Sequence, residues 1–495
     1  MLRVLGSPKH LCDGTTRRDA IVAGGLTLFG LTLADYVRGA EPKPLSADRF
    51  GQAKSCILLF LYGSPSQLEM ADMKPDAPVE IRGELKPIRS TLPGCDVCEL
   101  LPHTAQIMHK VSVVRSLTHK YPLHGVAFAT SGVPDIDAPM ELNRHDVRHW
   151  PFIGSVVGHL EKRGKAGRNK PVPDNVALPF PFSSKRTGEV QRAGPYAAFL
   201  GSQHHPHFTE FVGKANRKIT KTLNESTVEF DEPYVGTDPD CYFTLGEATR
   251  LPPEITIDRL DKRKSLLTQF EEARRTLDKQ TFAGHEAHRA AAFDMIANDA
   301  SRQALDVRKE PAATRELYGH TLFGQSCLAA RRLIEAGSKF VTVFWDEFGL
   351  AGSGWDTHWE HYPRLRNELM PGFDRGFSGL ITDLDRRSRL DETLVVVLSE
   401  HGRTPKITPD RSGGRDHWSQ AYSAFFAGGG VARGKVIGKT DKIGGTVVDN
   451  PVSPKDVLAT VYHLLGIDLE TTLTDRLGRP QPLAPGASVV RDLLG

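Results

Sequence analysis

Thr393-Leu394-Val395-Val396-Val397-Leu398 is a short β-branched run that ends abruptly in Ser399-Glu400-His401-Gly402-Arg403-Thr404-Pro405. Its apolar residues occupy both alternating sets of positions, which predicts a strand covered on both faces. Strands of that kind belong to parallel sheets joined by helical crossovers. In such sheets, ligands collect beyond the carboxyl ends of the strands. Glu400 and His401, a carboxylate beside an imidazole, stand at that position.

Four further runs read the same way: Ser55 to Tyr62, Val111 to Ser116, Phe340 to Trp345, and Tyr422 to Ala427 before Gly428-Gly429-Gly430. Helical spacing fills Asp258 to Phe282, His285 to Leu305, Ala312 to Ala336, Tyr362 to Arg387 and Pro454 to Leu465. The alternation predicts an α/β fold with a largely parallel sheet. Residues from about 161 to 257 are irregular and Pro-rich and read as an insertion, followed by a helical segment to about 336.

The other strand ends carry chemistry too. Beyond Trp345 comes Trp355-Asp356-Thr357-His358, and beyond Tyr62 come Glu69 and Asp72. Gly413-Gly414-Arg415-Asp416-His417-Trp418 follows the Glu400 segment. Carboxylate oxygen and imidazole nitrogen suit Zn²⁺, Mn²⁺ or iron, with Ca²⁺ admitted where oxygen dominates. The spacing therefore predicts convergence of Asp356, His358, Glu400, His401 and His417 on one point. Arg403 and Arg415 are candidates to stabilise a tetrahedral oxyanion. Thr118, just past the second run, is a candidate hydroxyl nucleophile, and His119 and His124 are candidates nearby as ligands or as acid/base groups. His204, His205 and His207 form a tight group in an irregular stretch and read as a polar loop.

The bulk numbers limit the alternatives. The chain has 495 residues, with 63 Lys and Arg against 60 Asp and Glu. That balance argues against a general nucleic-acid binder, which carries a marked basic excess. Arg17-Arg18 precede a mildly apolar run from Ala20 to Ala34, too short for a comfortable bilayer span of ~20 residues. This reads as a twin-arginine (Tat-type) export signal over residues 1–40, leaving one elaborated domain over 41–495 in the periplasm or outside the cell. No later segment reads as a transmembrane span. Cys95-Asp96-Val97-Cys98 admits a local disulfide, two free thiols or half of a metal site.

A family resemblance rests on several of these segments. Thr393 to Gly402 resembles the strand and metal-binding turn of sulfatases and alkaline-phosphatase-like enzymes, and Pro454 to Ile467 resembles their C-terminal helix. Tyr121-Pro122-Leu123-His124 with Thr130-Ser131-Gly132 loosely resembles the nucleophile region of the phosphodiesterase branch. Closer still, Ser66 to Pro75, Leu100 to Pro102, Trp355 to His358, Ser399 to Pro405 and Gly414 to Trp418 look like signature segments of the domain of unknown function 1501 family. The resemblance implies an alkaline-phosphatase-like three-layer α/β/α sandwich. It implies divalent metal ions, zinc first and calcium or manganese as alternatives, held by Glu69 or Asp72, Asp356, His358, Glu400, His401 and His417.

The chain departs from the family at Ser66-Gln67-Leu68-Glu69, where Ser-His-Leu-Asp is usual. It also lacks the Cys-x-Pro-Ser-Arg or Ser-x-Pro-Ser-Arg motif that yields formylglycine in sulfatases. Two functions follow as expectations. One is a secreted metal-dependent hydrolase of phosphate or sulfate esters, acting on a small-molecule or glycan ester without formylglycine. The other is a catalytically degenerate relative with a binding or cell-surface role. An isomerase of the phosphoglycerate-mutase type is a minor third.

Overall fold

Every residue from Ser55 to Leu61 is buried, as are all of Phe340–Trp345 and Thr393–Leu398. In this computed structural model these three strands pair in parallel at the centre of an eight-stranded sheet. The structure describes residues 49–494 apart from 134–135, 165–171, 188–190, 224–225, 246–298, 351, 353 and 410–411. The export signal and the helices expected over Asp258 to Phe282 and from His285 to residue 298 lie outside the described residues, while Asp299–Leu305 is helical.

The sheet runs in the order Val436–Ile437, Val111–Leu117, Tyr422–Ala427, Thr393–Leu398, Ser55–Leu61, Phe340–Trp345, Asn175–Leu178, His207–Phe208. Tyr422–Ala427 is antiparallel to both neighbours, and every other pairing is parallel. Alternate side chains feed two cores, because successive residues of a strand point to opposite faces. Ile57, Leu59, Val341, Val395 and Val397 pack with the helices Leu322–Glu335 and Met370–Arg386. Cys56, Leu58, Phe60, Leu394 and Val396 pack with Ile153–Gly164 and Pro454–Leu464. The result is the three-layer α/β/α sandwich with a largely parallel sheet. Among the described residues, no helix is long and apolar enough to cross a membrane.

Three expectations need revision. Ala312 to Ala336 is two helices, Ala312–Tyr318 and Leu322–Glu335. Gly319 turns the chain at φ 78°, and Thr321 caps the second helix by accepting from Gly324 N at 3.1 Å. The helix leading into the Thr393 strand starts at His361 and passes through a π-helical turn, Leu365–Leu369. Pro371 has no amide hydrogen to give that turn, so its backbone widens. The stretch read as an insertion supplies two strands of the central sheet, Asn175–Leu178 and His207–Phe208, as well as the hairpin Lys218–Leu223 with Ser226–Asp231. Cys95 and Cys98 are buried free thiols, with Arg115 Nη2 3.3 Å from Cys95 Sγ.

Register decides where the chemistry meets. Leu61 pairs with Trp345, and Phe60 pairs with Leu398, so three carboxyl ends finish level. The antiparallel strand enters at the same edge, with Tyr422 opposite Leu117 and Phe425 opposite Val397. The segments after Leu61, Leu117, Trp345 and Leu398 and the segment before Tyr422 therefore share one rim.

Candidate metal centre

Gly63 makes this rim possible. It takes φ 95°, and a Cβ there would collide with the Asp356 amide nitrogen. Its own amide donates to Glu400 Oε1 at 2.8 Å, tying the first strand's exit to the third's. Gly63→Ala is expected to destabilise the fold by ~1–3 kcal/mol or more, read by denaturant melts, since Cβ must displace backbone. Ser64, the next residue, is also left-handed at φ 68°, and its Oγ accepts from the His401 amide at 3.2 Å.

Four histidines and one aspartate gather above this floor. His124 places Nε2 3.2 Å from Asp356 Oδ2 and Nδ1 2.9 Å from Glu400 Oε1. His358 Nε2 is 3.0 Å from Asp356 Oδ1 and 3.0 Å from His417 Nε2. His417 Nε2 is 3.2 Å from Asp356 Oδ1. The His401 ring lies 4.5 Å from that of His417, centroid to centroid, and His124 lies 4.2 Å from His417. Among the described residues, two groups of three bring their ligand atoms within 4.8 Å of one another: His124, His401 and His417, and Asp356, His358 and His417.

The ring nitrogens are assigned by their neighbours. His401 Nδ1 faces the Gly402 carbonyl at 2.8 Å, and His417 Nδ1 faces the Pro122 carbonyl at 3.1 Å. A carbonyl only accepts, so Nδ1 carries the hydrogen in both, and Nε2 is left with its lone pair. His401 Nε2 is buried and has no hydrogen-bond partner. Burial, with the electrostatic effect of the neighbouring His417, His124 and Arg403, holds His401 well below the usual imidazole range. Burial also lowers His417. Burial disfavours charge on His124 as well, yet Asp356 and Glu400 raise it to about 9. His358 is raised, chiefly by its hydrogen bond to Asp356, and its other nitrogen meets Asp416 at 2.8 Å.

The arginines lie behind the centre. Both side chains are fully buried. Arg403 donates to the Gly63, Ser64 and Arg415 carbonyls and to Asp356 Oδ1. Arg415 binds Glu69 Oε1 through Nε (3.1 Å) and Nη2, and donates to the Ile81 and Thr404 carbonyls. The sequence suggested both for an oxyanion. In the structure their donors are spent on the protein, because the loops that carry them fold beneath the rim.

The first-strand carboxylates are committed as well. Glu69 is held by Arg415 and lies 3.4 Å from His361 Nε2. Asp72 lies 2.9 Å from Lys74 and 3.6 Å from Arg115, and Thr440 Oγ1 donates to it. Neither they nor Glu400 belongs to the two groups of converging ligand atoms. Gln67 bonds the Arg403 backbone through both ends of its amide at 2.9 and 3.0 Å. Thr118 is half-buried at its strand end, where its amide donates to the Val452 carbonyl at 2.9 Å. Sequence reasoning missed the part played by His361, which orders Thr357 at 2.7 Å, whereas His124, expected as a ligand or as an acid/base group, does join a group of potential ligands. The signal for His124 was its position seven residues past the end of the Val111–Leu117 strand.

Comparison with known proteins adds a family. A family model described as "Protein of unknown function (DUF1501)" matches residues 53–494. No curated protein matches the chain. Among solved structures, the sulfatase PsFucS1 from Pseudoalteromonas sp. is 11% identical, covers 88% of this chain and 71% of its own, and gives a TM-score of 0.37. The lipoteichoic acid synthase LtaP from Listeria monocytogenes is 12% identical over 85% of this chain and 74% of its own, with a TM-score of 0.33. TAB5 alkaline phosphatase, in a magnesium-bound mutant form, is 13% identical over 77% of this chain and 92% of its own, at 0.32.

Proposed function

Because the chain belongs to the DUF1501 family, whose function is unknown, we propose its activity from the site itself: metal-dependent hydrolysis of phosphate or sulfate esters. The observation that carries this is the buried His401 Nε2, a lone pair without a hydrogen-bond partner, beside His124, His417 and Asp356. Leaving such an atom unpaired costs ~1–3 kcal/mol, which a partner at that lone pair would recover. A divalent cation supplies that partner and brings Lewis acidity toward an ester oxygen and toward water.

His124, His401 and His417 would hold the ion, with Asp356 as the neighbouring anionic oxygen. Imidazole donors favour zinc or manganese over calcium, which prefers oxygen. His417 Nε2 has one lone pair, so it serves only one of the two ligand groups at a time. One ion per chain is therefore expected through these histidines. Arg403 fixes Asp356 through its buried guanidinium. His358, at the solvent side and braced by Asp416, can hold a proton at Nε2 for a departing alcohol. Export through the Arg17-Arg18 leader remains part of the proposal, supported by that sequence alone.

The test is elemental analysis of purified full-length protein, followed by a panel of phosphate and sulfate monoesters and diesters. About one equivalent of a transition metal and a chelator-sensitive hydrolysis are expected. His401→Ala is expected to lose the metal while keeping the fold. A wild-type protein that is metal-free and silent across the panel after zinc and manganese supplementation overturns the proposal and favours the binding role.

A further inference from the structure

Glu400 follows the strand at the place where a metal-binding carboxylate is expected, yet its Oε1 is turned away from that task. It accepts the Gly63 amide at 2.8 Å and faces His124 Nδ1 at 2.9 Å. The segment containing Glu400 and the one containing His124 are separated by 276 residues and meet only through this fold. Glu400 is buried, and so is His124. A carboxylate oxygen accepts, so His124 Nδ1 donates to Glu400 Oε1, and Nε2, 3.2 Å from Asp356 Oδ2, is the nitrogen turned toward the centre.

We infer that Glu400 is the orienting carboxylate of His124 and not itself a metal ligand. This rests on the metal-centre reading above. Metal-binding histidines commonly donate their second N–H to a carboxylate or carbonyl, which sets ring orientation and raises ligand basicity. His401 and His417 use the Gly402 and Pro122 carbonyls for this purpose, and His124 uses Glu400. The same view gives a reason for glutamate at this turn, since its extra methylene extends the reach of Oε1 to Gly63 and His124. Glu400 is also absent from both groups of converging ligand atoms among the described residues. Its second oxygen, Oε2, is buried without a hydrogen bond and is the atom through which a direct ligand would act.

A double-mutant cycle separates the two roles. Zinc affinity is measured on the full-length chain by competition with a chromophoric chelator, for wild type, Glu400→Ala, His124→Ala and the double variant. Glu400→Ala is expected to keep one equivalent of zinc and to weaken binding ~10–100-fold. In the His124→Ala background the same change is expected to cost under ~3-fold, because its route to the metal is gone. Glu400→Gln, which can still accept from His124 and Gly63, is expected to recover most of the affinity and guards against a folding defect in the alanine variant. Equal losses in both backgrounds, or a Glu400→Gln loss as large as that of Glu400→Ala in a folded protein, overturn the inference. A wild-type chain that takes up no zinc sinks the metal-centre reading first, before any variant is compared.

Discussion

His417→Ala is expected to strip the protein of bound metal and to lower hydrolysis of any responsive ester at least ~10²-fold. Like His401→Ala, it removes one of the three histidines that would hold the ion, and His417 belongs to both groups of ligand atoms. Losing it leaves His124 and His401 on one side and Asp356 and His358 on the other, and neither pair is a sufficient cage. His358→Ala provides the contrast. It spares His124, His401 and His417, so metal content should stay near one equivalent while turnover falls. The His417 ring is partly exposed, at 22%, so its removal should leave the thermal midpoint of the metal-free protein nearly unchanged. Metal analysis and rates on the same preparations check this. A His417→Ala protein that still carries a full equivalent would move the centre elsewhere.

The second large effect is on stability. Arg415→Ala should cost ~3–5 kcal/mol, because it leaves the Glu69 carboxylate buried without its guanidinium. That is a large fraction of a total of ~5–15 kcal/mol. Burial alone pushes the Glu69 carboxyl up, but Arg415 and His361 outweigh it and lower it from 4.5 to about 2. A carboxyl whose folded pKa is depressed contributes stability above its unfolded value and loses it on acidification. The Glu69 contribution should therefore be complete above about pH 4.5 and fade as pH falls through about 2. Urea melts between pH 7 and pH 3 should show wild type losing stability over the acidic part of that range and Arg415→Ala losing less. Replacing both partners, as Glu69→Gln with Arg415→Met, should recover part of the loss at pH 7. An Arg415→Ala protein as stable as wild type at pH 7 would show that the pair is dispensable.

The five long apolar runs were legible because a strand buried on both faces cannot hide its composition, and Thr393–Leu398 shows this most clearly. Their common rim followed from the rule that ligands gather beyond carboxyl ends, and Asp356, His358, His401 and His417 meet there. The two short strands Asn175–Leu178 and His207–Phe208 were not legible, since four and two residues are too few to establish a period. Nor were the partners of Glu69, Asp72 and Arg403. Glu69 and Arg415 are 346 positions apart, and spacing carries no information at that range. A carboxylate near a strand exit reads the same whether it will meet a cation from solution or a guanidinium from the chain. Burial and the donor already in place distinguish the two.

One strand runs against its neighbours, and this has a consequence for assembly. A parallel strand delivers the residues that follow it to the rim, but Tyr422–Ala427 delivers those that precede it, His417 among them. Its two flanking strands, Val111–Leu117 and Thr393–Leu398, lie far apart in sequence, and in the sheet each pairs with it and not with the other. A growing chain that has emerged as far as His401 can thus carry His124, Asp356 and His358 and still lack the strand that pairs with both. Contacts of such long range close late in folding. Ion capture should accordingly report completion: a ligand that binds only the finished chain stabilises that state by mass action, and the last strand to dock becomes the step on which metal supply acts.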